Sequence, residues 1–322
     1  MSRVLVTGAA GFIGSHLVQA LAAQGDEVVG VDNFDSFYPR AMKERNLAEV
    51  GEPRGFSFRE QDMLDVGALA PLLSPDTIIV HLAAKAGVRP SLANPVAYAQ
   101  ANVTGTAAVV EAARRAGVTR FVFGSSSSVY GDSTPVPFRE DAIATEPVSP
   151  YAATKRAGEL FLSSVAPIYG LRAASLRFFT VYGPRQRPDL AIHAFTRKMV
   201  EGRALTLFGD GTQARDYTYC DDIIAGVLAA IAWTASARVG VETFNLGGNR
   251  SIATEAMVAE IAGALGIEPK IQWASMQPGD VQKTAADLTK SSTMLGYAPK
   301  VPFAEGIRRF TRWFREAYGR AD

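Results

Sequence analysis

The stretch Val4-Leu5-Val6-Thr7-Gly8-Ala9-Ala10-Gly11-Phe12-Ile13-Gly14 sets the reading of the whole chain. A short apolar run ends in a turn with glycines at 8, 11 and 14, and helical spacing over 12–24 follows. Gly8 permits the tight turn, Gly11 lets a diphosphate approach the backbone, and Gly14 lets the helix pack closely on the strand. The start of that helix, Phe12 and Ile13 included, offers unpaired N–H groups and the positive end of the helix dipole. Asp32 closes the next apolar run, 18 residues beyond Gly14. An acidic side chain there accepts hydrogen bonds from a ribose 2′-OH and repels a 2′-phosphate, so the cofactor expected is NAD rather than NADP.

Beyond this turn, Val4–Thr7, Glu27–Val31, Phe56–Arg59, Thr77–His81, Arg120–Gly124 and Ala173–Phe178 read as strands. Helical spacing fills 12–24, 65–73, 93–116 and 151–169 between them. Continuous Val/Ile/Leu/Phe strands suit a sheet covered on both faces, and strict alternation with helices makes it parallel. The fold class expected is therefore α/β, a Rossmann-type doubly wound parallel sheet with a smaller C-terminal substrate-binding domain. After Phe179 a turn-rich loop (180–187), a helix (190–201) and a strand (Leu205–Phe208) follow. A helix at 221–233 and a strand at Glu242–Leu246 could return to the sheet, and 252–322 carries three helical stretches. The division expected is 1–179 plus about 217–247 for NAD, and about 180–216 plus 248–322 for substrate.

Composition narrows the function classes. In 322 residues, 33 basic and 32 acidic side chains leave a net charge of +1, so no global field draws nucleic acid or an anionic membrane. The lone Cys220 excludes an internal disulfide and a cysteine-cluster metal site, and reads as buried and inert. His16, His81 and His193 are widely spaced, so no metal is expected; His81 reads as a packed strand-end residue. The chain opens on a strand, and no apolar run nears the roughly 20 residues that span a bilayer, so the expected location is the cytoplasm.

Moving hydrogen at a carbinol carbon needs a base, a group that lowers the base's pKa and a donor to the oxygen. Tyr151 and Lys155 lie one turn apart on a single helix face. A nearby ammonium favours tyrosinate. The serines 125–128 follow the fifth strand. Asp62-Met63 and His81-Leu82-Ala83-Ala84-Lys85 end the third and fourth strands, where adenine and ribose edges would lie.

These motifs, taken together, resemble the extended short-chain dehydrogenase/reductase family and, within it, the nucleotide-sugar epimerases. The resemblance runs nearly end to end: TGAAGFIG (7–14), HLAAKAG (81–87), NVTGT (102–106), SSSSVYG (125–131), SPYAATK (149–155), RFFTVYGP (177–184), RDYTYCDD (215–222), FNLGG (244–248) and QPGDVQKTAAD (277–287). It implies a catalytic triad of Ser126, Tyr151 and Lys155. It implies NAD contacts from Gly8, Gly11, Phe12, Ile13, Gly14, Asp32, Asn33, Asp62, Met63, Leu82, Ala83, Ala84, Lys85 and Asn102, besides Tyr151 and Lys155. The implied reaction oxidises C4 of a bound sugar, lets the 4-keto sugar turn over, and reduces its other face.

Substrate choice is read from departures. Dehydratases of the family carry Asp-Glu after the triad hydroxyl, where this chain has Ser127-Ser128, and decarboxylases usually carry a Glu at the position of Ser128. Hexose 4-epimerases commonly have Asn at Thr180 and Arg at Gln277. The chain most resembles UDP-glucuronate 4-epimerases, with Ser127, Ser128 and Thr180 holding the carboxylate and Arg187 adding charge. Arg215 is the expected diphosphate partner, since an arginine fork suits phosphate oxygens. Asp280 is a candidate for the uridine ribose. UDP-glucose or UDP-N-acetylglucosamine 4-epimerisation is the alternative; a binding protein that senses NAD without chemistry is the reading from outside enzymology, although both Tyr151 and Lys155 are present. The partners expected are a UDP-sugar and a second copy of the chain, a homodimer, through the helices at 93–116 and 151–169.

Overall fold

A computed structural model describes residues 1–275 and 282–319. Its strands are β1 (Arg3–Thr7), β2 (Glu27–Asp32), β3 (Phe56–Glu60), β4 (Thr77–His81), β5 (Arg120–Ser126) and β6 (Arg172–Phe178). Then come β7 (Thr180–Tyr182), β8 (Leu205–Phe208), β9 (Ala214–Tyr219), β10 (Gly240–Leu246), β11 (Ser251–Ala253) and β12 (Ile271–Ala274). Seven of them form one parallel sheet in the order β10-β6-β5-β4-β1-β2-β3. The doubly wound sheet expected from the sequence is thus present, and β10 does return to it beside β6.

Order reverses at β1, whose neighbours are β2 and β4: Thr7 is level with both Val31 and His81. The chain leaves these strands in opposite directions, which opens a crevice at their carboxyl ends. The strands that carry the expected cofactor and catalytic residues all end on that edge. Leu17, Val18 and Leu21 of helix Phe12–Ala23 pack with Ile223, Ile224 and Val227 on one face of the sheet. Leu162, Val165 and Ala166 of helix Pro150–Tyr169 pack with Phe121 and Phe123 on the other. Full burial of a side chain such as Leu162 contributes about 1.5–3 kcal/mol.

Helix Pro150–Tyr169 carries its signals in the sequence. Ser149 caps it by accepting from Ala152 N at 3.1 Å, Pro150 sits in the first turn, and Gly170 ends it in the left-handed region. Gly158 lets the helix lie on the sheet, since a Cβ there would stand 2.6 Å from Phe123 Cζ.

Several elements differ from the sequence reading. Helix Arg40–Val50 has no apolar period to mark it, because Lys43, Asn46 and Val50 alone are buried and two of the three are polar. Polar bonds dock it instead: Lys43 to Asp32 at 2.9 Å and Asn46 to the Ala10 carbonyl at 3.0 Å. The expected helix over 65–73 stops at Leu69 and continues as a 3₁₀ turn containing Pro71. The expected helix over 93–116 is broken into Pro95–Ala99, a π turn at Gln100–Thr104, and Gly105–Arg115. The loop over 180–187 begins as β7, which pairs with β9 in a three-stranded sheet, β11-β9-β7. A two-stranded sheet, β12-β8, completes this smaller part of the molecule.

A buried ion pair ties helix Pro150–Tyr169 to the sheet. Arg177 of β6 donates from Nε and Nη2 to the two oxygens of Glu159, each at 2.9 Å, and both side chains are about 3% exposed. Replacing Arg177 by Met leaves Glu159 with Arg156 and Ser125 as partners in a dry setting. We expect Arg177→Met to lose about 3 kcal/mol of stability in urea denaturation. A loss under about 1 kcal/mol would show that the pair is not a keystone of the fold.

Candidate active site

A cavity of about 480 Å³ runs along the carboxyl ends of β1, β2, β4 and β5 and reaches β7. At one end lie Gly8, Gly11, Phe12, Ile13 and Gly14 of the turn, with Asp32 and Asn33 after β2. Close packing makes the glycines obligatory. Gly8 has φ +74°, and a Cβ on Gly14 would stand 2.0 Å from the Gly8 carbonyl oxygen. No side chain caps helix Phe12–Ala23 at Gly11, so its first N–H groups face the cavity unclaimed by a cap. An uncapped helix end above a glycine cradle, with the Asp32 carboxylate beside it, fits a dinucleotide.

Met63, Leu82, Ala83, Ala84 and Lys85 line the middle of the cavity. Two expected cofactor residues, half-buried Asp62 and buried Asn102, are engaged in bonds of their own. Asp62 accepts from Asn33 Nδ2 at 2.9 Å and from Leu64 N at 2.8 Å. Asn102, in the π turn, accepts from Lys85 N at 2.8 Å and donates to Lys85 O and Thr154 Oγ1, both at 2.9 Å. It therefore staples the loop after β4 to helix Pro150–Tyr169, and Thr154 passes the link on to the Tyr151 carbonyl at 2.8 Å. The π turn aims this side chain inward.

The far end holds Ser126, Ser127, Ser128, Tyr151, Lys155, Thr180, Arg187 and Arg215. The four serines divide their work. Ser125 donates to Glu159 at 2.6 Å and belongs to the scaffold. Ser126 accepts from Ser128 Oγ at 2.9 Å and from Ser128 N at 3.2 Å. Burial holds the Tyr151 phenol above its ordinary pKa, while Ser126 and then Arg187 pull it down.

Lys155 is held by a backbone partner. Its ammonium donates to the Gly124 carbonyl at 2.7 Å and stands 5.2 Å from the centre of the Phe123 ring. Burial pulls Lys155 itself down to about 8, against the opposing pull of Glu159.

Arg187 shares its charge with Asp189, donating at 3.0 and 2.9 Å, and lies 5.3 Å from the Phe37 ring centre. Phe208 packs under the Arg89 guanidinium, 4.9 Å away. His81 is buried between Thr7 (2.7 Å) and Thr106 (3.1 Å), and burial with Lys155 nearby pushes it down to about 3, so it is neutral. Cys220 is buried, and burial followed by Asp221 pushes its thiol well up. It meets His16 and Asp221 with ligand atoms within 4.8 Å, but Asp221 already pairs with Arg309, and burial and then Arg185 lower His16 to about 4. Asp280 and Gln277 lie outside the described residues. Lys43, Asp35 and Phe37 line the cavity unforeseen. No periodicity marks them, because their segment buries little apolar surface.

Residues 4–247 match the model of the "NAD dependent epimerase/dehydratase family". The chain belongs to that family. The UDP-glucuronate 4-epimerase of Thermodesulfobacterium geofontis is 39% identical over 319 residues, 98% of this chain and 97% of that one. UDP-glucuronate 4-epimerase 3 of Arabidopsis thaliana is 40% identical over 332 residues, 98% of this chain and 77% of that protein. The Bacillus cereus UDP-glucuronic acid 4-epimerase, solved in complex with UDP-glucuronic acid and NAD, superposes with a TM-score of 0.91 at 36% identity. That match covers 98% of this chain and 100% of the other. NAD is the cofactor, and the enzyme is an isomerase of the nucleotide-sugar class.

The ammonium of Lys155 gives a pH test. With its pKa at about 8, the charge that would hold a cofactor hydroxyl is lost from the cofactor-free protein as pH rises through that value. NAD affinity should fall by about tenfold between pH of about 7 and about 9.5, and Lys155→Met should flatten that slope. Calorimetric titration at both pH values checks it; equal slopes in the two proteins would remove Lys155 from cofactor binding.

Proposed function

We propose that this enzyme inverts C4 of UDP-glucuronate to give UDP-galacturonate. The observation that carries the reading is the set of neutral hydroxyls, Ser127, Ser128 and Thr180, lining one cavity with Ser126 and Tyr151 and with no carboxylic acid among them. Bound NAD supplies the acceptor, and later the donor, of the hydrogen at C4.

The chain's own groups do the proton work. Tyr151 takes the C4 hydroxyl proton, and Ser126, lining the same end of the cavity, steadies the same oxygen. Arg187 favours the tyrosinate electrostatically. Lys155, fixed by the Gly124 carbonyl, holds a charge beside the cofactor end of the cavity. The oxidised sugar is a β-keto acid, which loses CO₂ once its C5–carboxylate bond lies parallel to the ketone π system. Hydroxyl donors hold the carboxylate out of that alignment without offering an acidic proton to C5, the carbon that loss of CO₂ would leave to be protonated. Arg187 meets the carboxylate with a charge already shared with Asp189. An Asp-Glu pair for dehydration is missing at 127–128.

Arg215, on β9 at the far end, is assigned to the diphosphate. The sugar-nucleotide part of the molecule is assigned to about 180–216 plus 248–322, and the cofactor part to 1–179 plus about 217–247. We assign the enzyme to the cytoplasm, in keeping with one unpaired cysteine and no described helix long and apolar enough to cross a membrane. We further assign a homodimer. Leu92, Val96, Leu160 and Ile168 are exposed on Val88–Ala93, Pro95–Ala99 and Pro150–Tyr169, which pack together and share an outer surface. Light scattering at micromolar concentration should give twice the chain mass, and a monomer mass would refute the assignment.

Incubating the protein with UDP-glucuronate, UDP-glucose and UDP-N-acetylglucosamine separately, and resolving products by NMR, tests the substrate. UDP-galacturonate should form fastest, with no appreciable CO₂. Thr180→Val should slow uronate turnover about ten- to hundredfold, from a lost hydrogen bond to a charge of about 1.5–3 kcal/mol, and release some UDP-4-keto-pentose. Faster turnover of either neutral sugar would overturn the uronate reading.

A further inference from the structure

Two loops that leave opposite neighbours of β1 are joined across the cavity. Asp35 lies three residues beyond β2, and Lys85 lies four beyond β4. Lys85 Nζ donates to both oxygens of Asp35 at 2.8 Å. Because β2 and β4 flank β1, this ion pair spans the turn that leaves β1, where Gly8 and Gly11 form the phosphate cradle. Both residues line the cavity, and both are only partly exposed, so water screens the pair incompletely.

The loop carrying Asp35 is fastened elsewhere too. Asp35 Oδ1 accepts from Phe37 N at 3.0 Å, which fixes the turn. The Phe37 ring lies beside Gly87, where an added Cβ would be 3.8 Å from Cζ, and under the Arg187 guanidinium beyond β7. The loop thus crosses the cleft as a strap anchored at Lys85 and at Arg187.

We propose that the Asp35–Lys85 pair is a clasp over the dinucleotide cleft that sets how long NAD stays bound between turnovers. Inversion at one carbon leaves the cofactor in its starting oxidation state, so retention costs the reaction nothing and release only interrupts it. The proposal rests on NAD being the cofactor and is independent of which sugar is turned over.

The test starts from protein purified with its NAD and follows exchange against excess 1,N⁶-etheno-NAD by fluorescence. Asp35→Asn keeps the oxygen that accepts from Phe37 N and removes the charge. It should release NAD about three- to tenfold faster than wild type. Raising NaCl from about 0.05 to about 1 M should speed release from wild type and leave the variant nearly unchanged. Lys85→Met also removes any direct contact of Lys85 with the cofactor, so the double variant separates the two effects. It should release no faster than the faster single variant. Equal release by Asp35→Asn and wild type, insensitivity of wild type to salt, or additive effects in the double variant would each overturn the clasp. A wild-type protein that took up no etheno-NAD at all would instead strike at the cofactor assignment.

Discussion

Glu159 and Arg177 meet in the interior where four elements of the site converge, and the position of the catalytic groups depends on that meeting. Glu159 is four residues beyond Lys155 on the same helix, and it also holds Ser125 of β5 and Arg156. Arg177, from β6, stacks 4.6 Å from the Tyr130 ring centre, and Tyr130 in turn donates to Asn245 of β10 at 2.7 Å. Burial opposes both charges. Pairing outweighs it: Arg177, Ser125 and Arg156 hold the Glu159 carboxyl below its usual pKa, and Glu159 holds Arg177 above its own. One network of charge thus fixes the helix bearing Tyr151 and Lys155 against the strand bearing Ser126.

That rigidity bears on chemistry through small distances. Burial of the Tyr151 phenol by itself works against ionisation. The structure answers with a hydroxyl and a guanidinium close by, and keeps the lysine on a backbone carbonyl at the cofactor side. Asn102 adds a second brace from the opposite bank, so the loop that lines the middle of the cavity cannot shift without moving the tyrosine's own carbonyl.

Much of this was legible in the residues. Gly8, Gly11 and Gly14 announced a strand–helix turn, and the approach of the Gly8 carbonyl shows why nothing larger fits at Gly14. Ser149-Pro150 and Gly170 marked both ends of the catalytic helix. Helix Arg40–Val50 escaped because its anchors are polar, and apolar period is blind to a helix held by Lys43 and Asn46. The π turn at Gln100–Thr104 escaped because one extra residue in a turn leaves the surrounding periodicity nearly intact. Among four consecutive serines, nothing local tells Ser125, bound to Glu159, from its neighbour Ser126.

Spacing along single elements was enough for the parallel α/β architecture, the dinucleotide turn, the acidic end of β2 and the pairing of Tyr151 with Lys155 on one helix face. There, 2.0- and 3.6-residue periods and glycine geometry act locally. It took the folded chain to show that Lys155 donates to Gly124 O, that Asn102 joins the loop after β4 to helix Pro150–Tyr169, and that Asp35 reaches Lys85. Each of these is a contact between segments distant in the chain. Such contacts depend on strand order and on the angle at which helices dock, and no local pattern of residues encodes either.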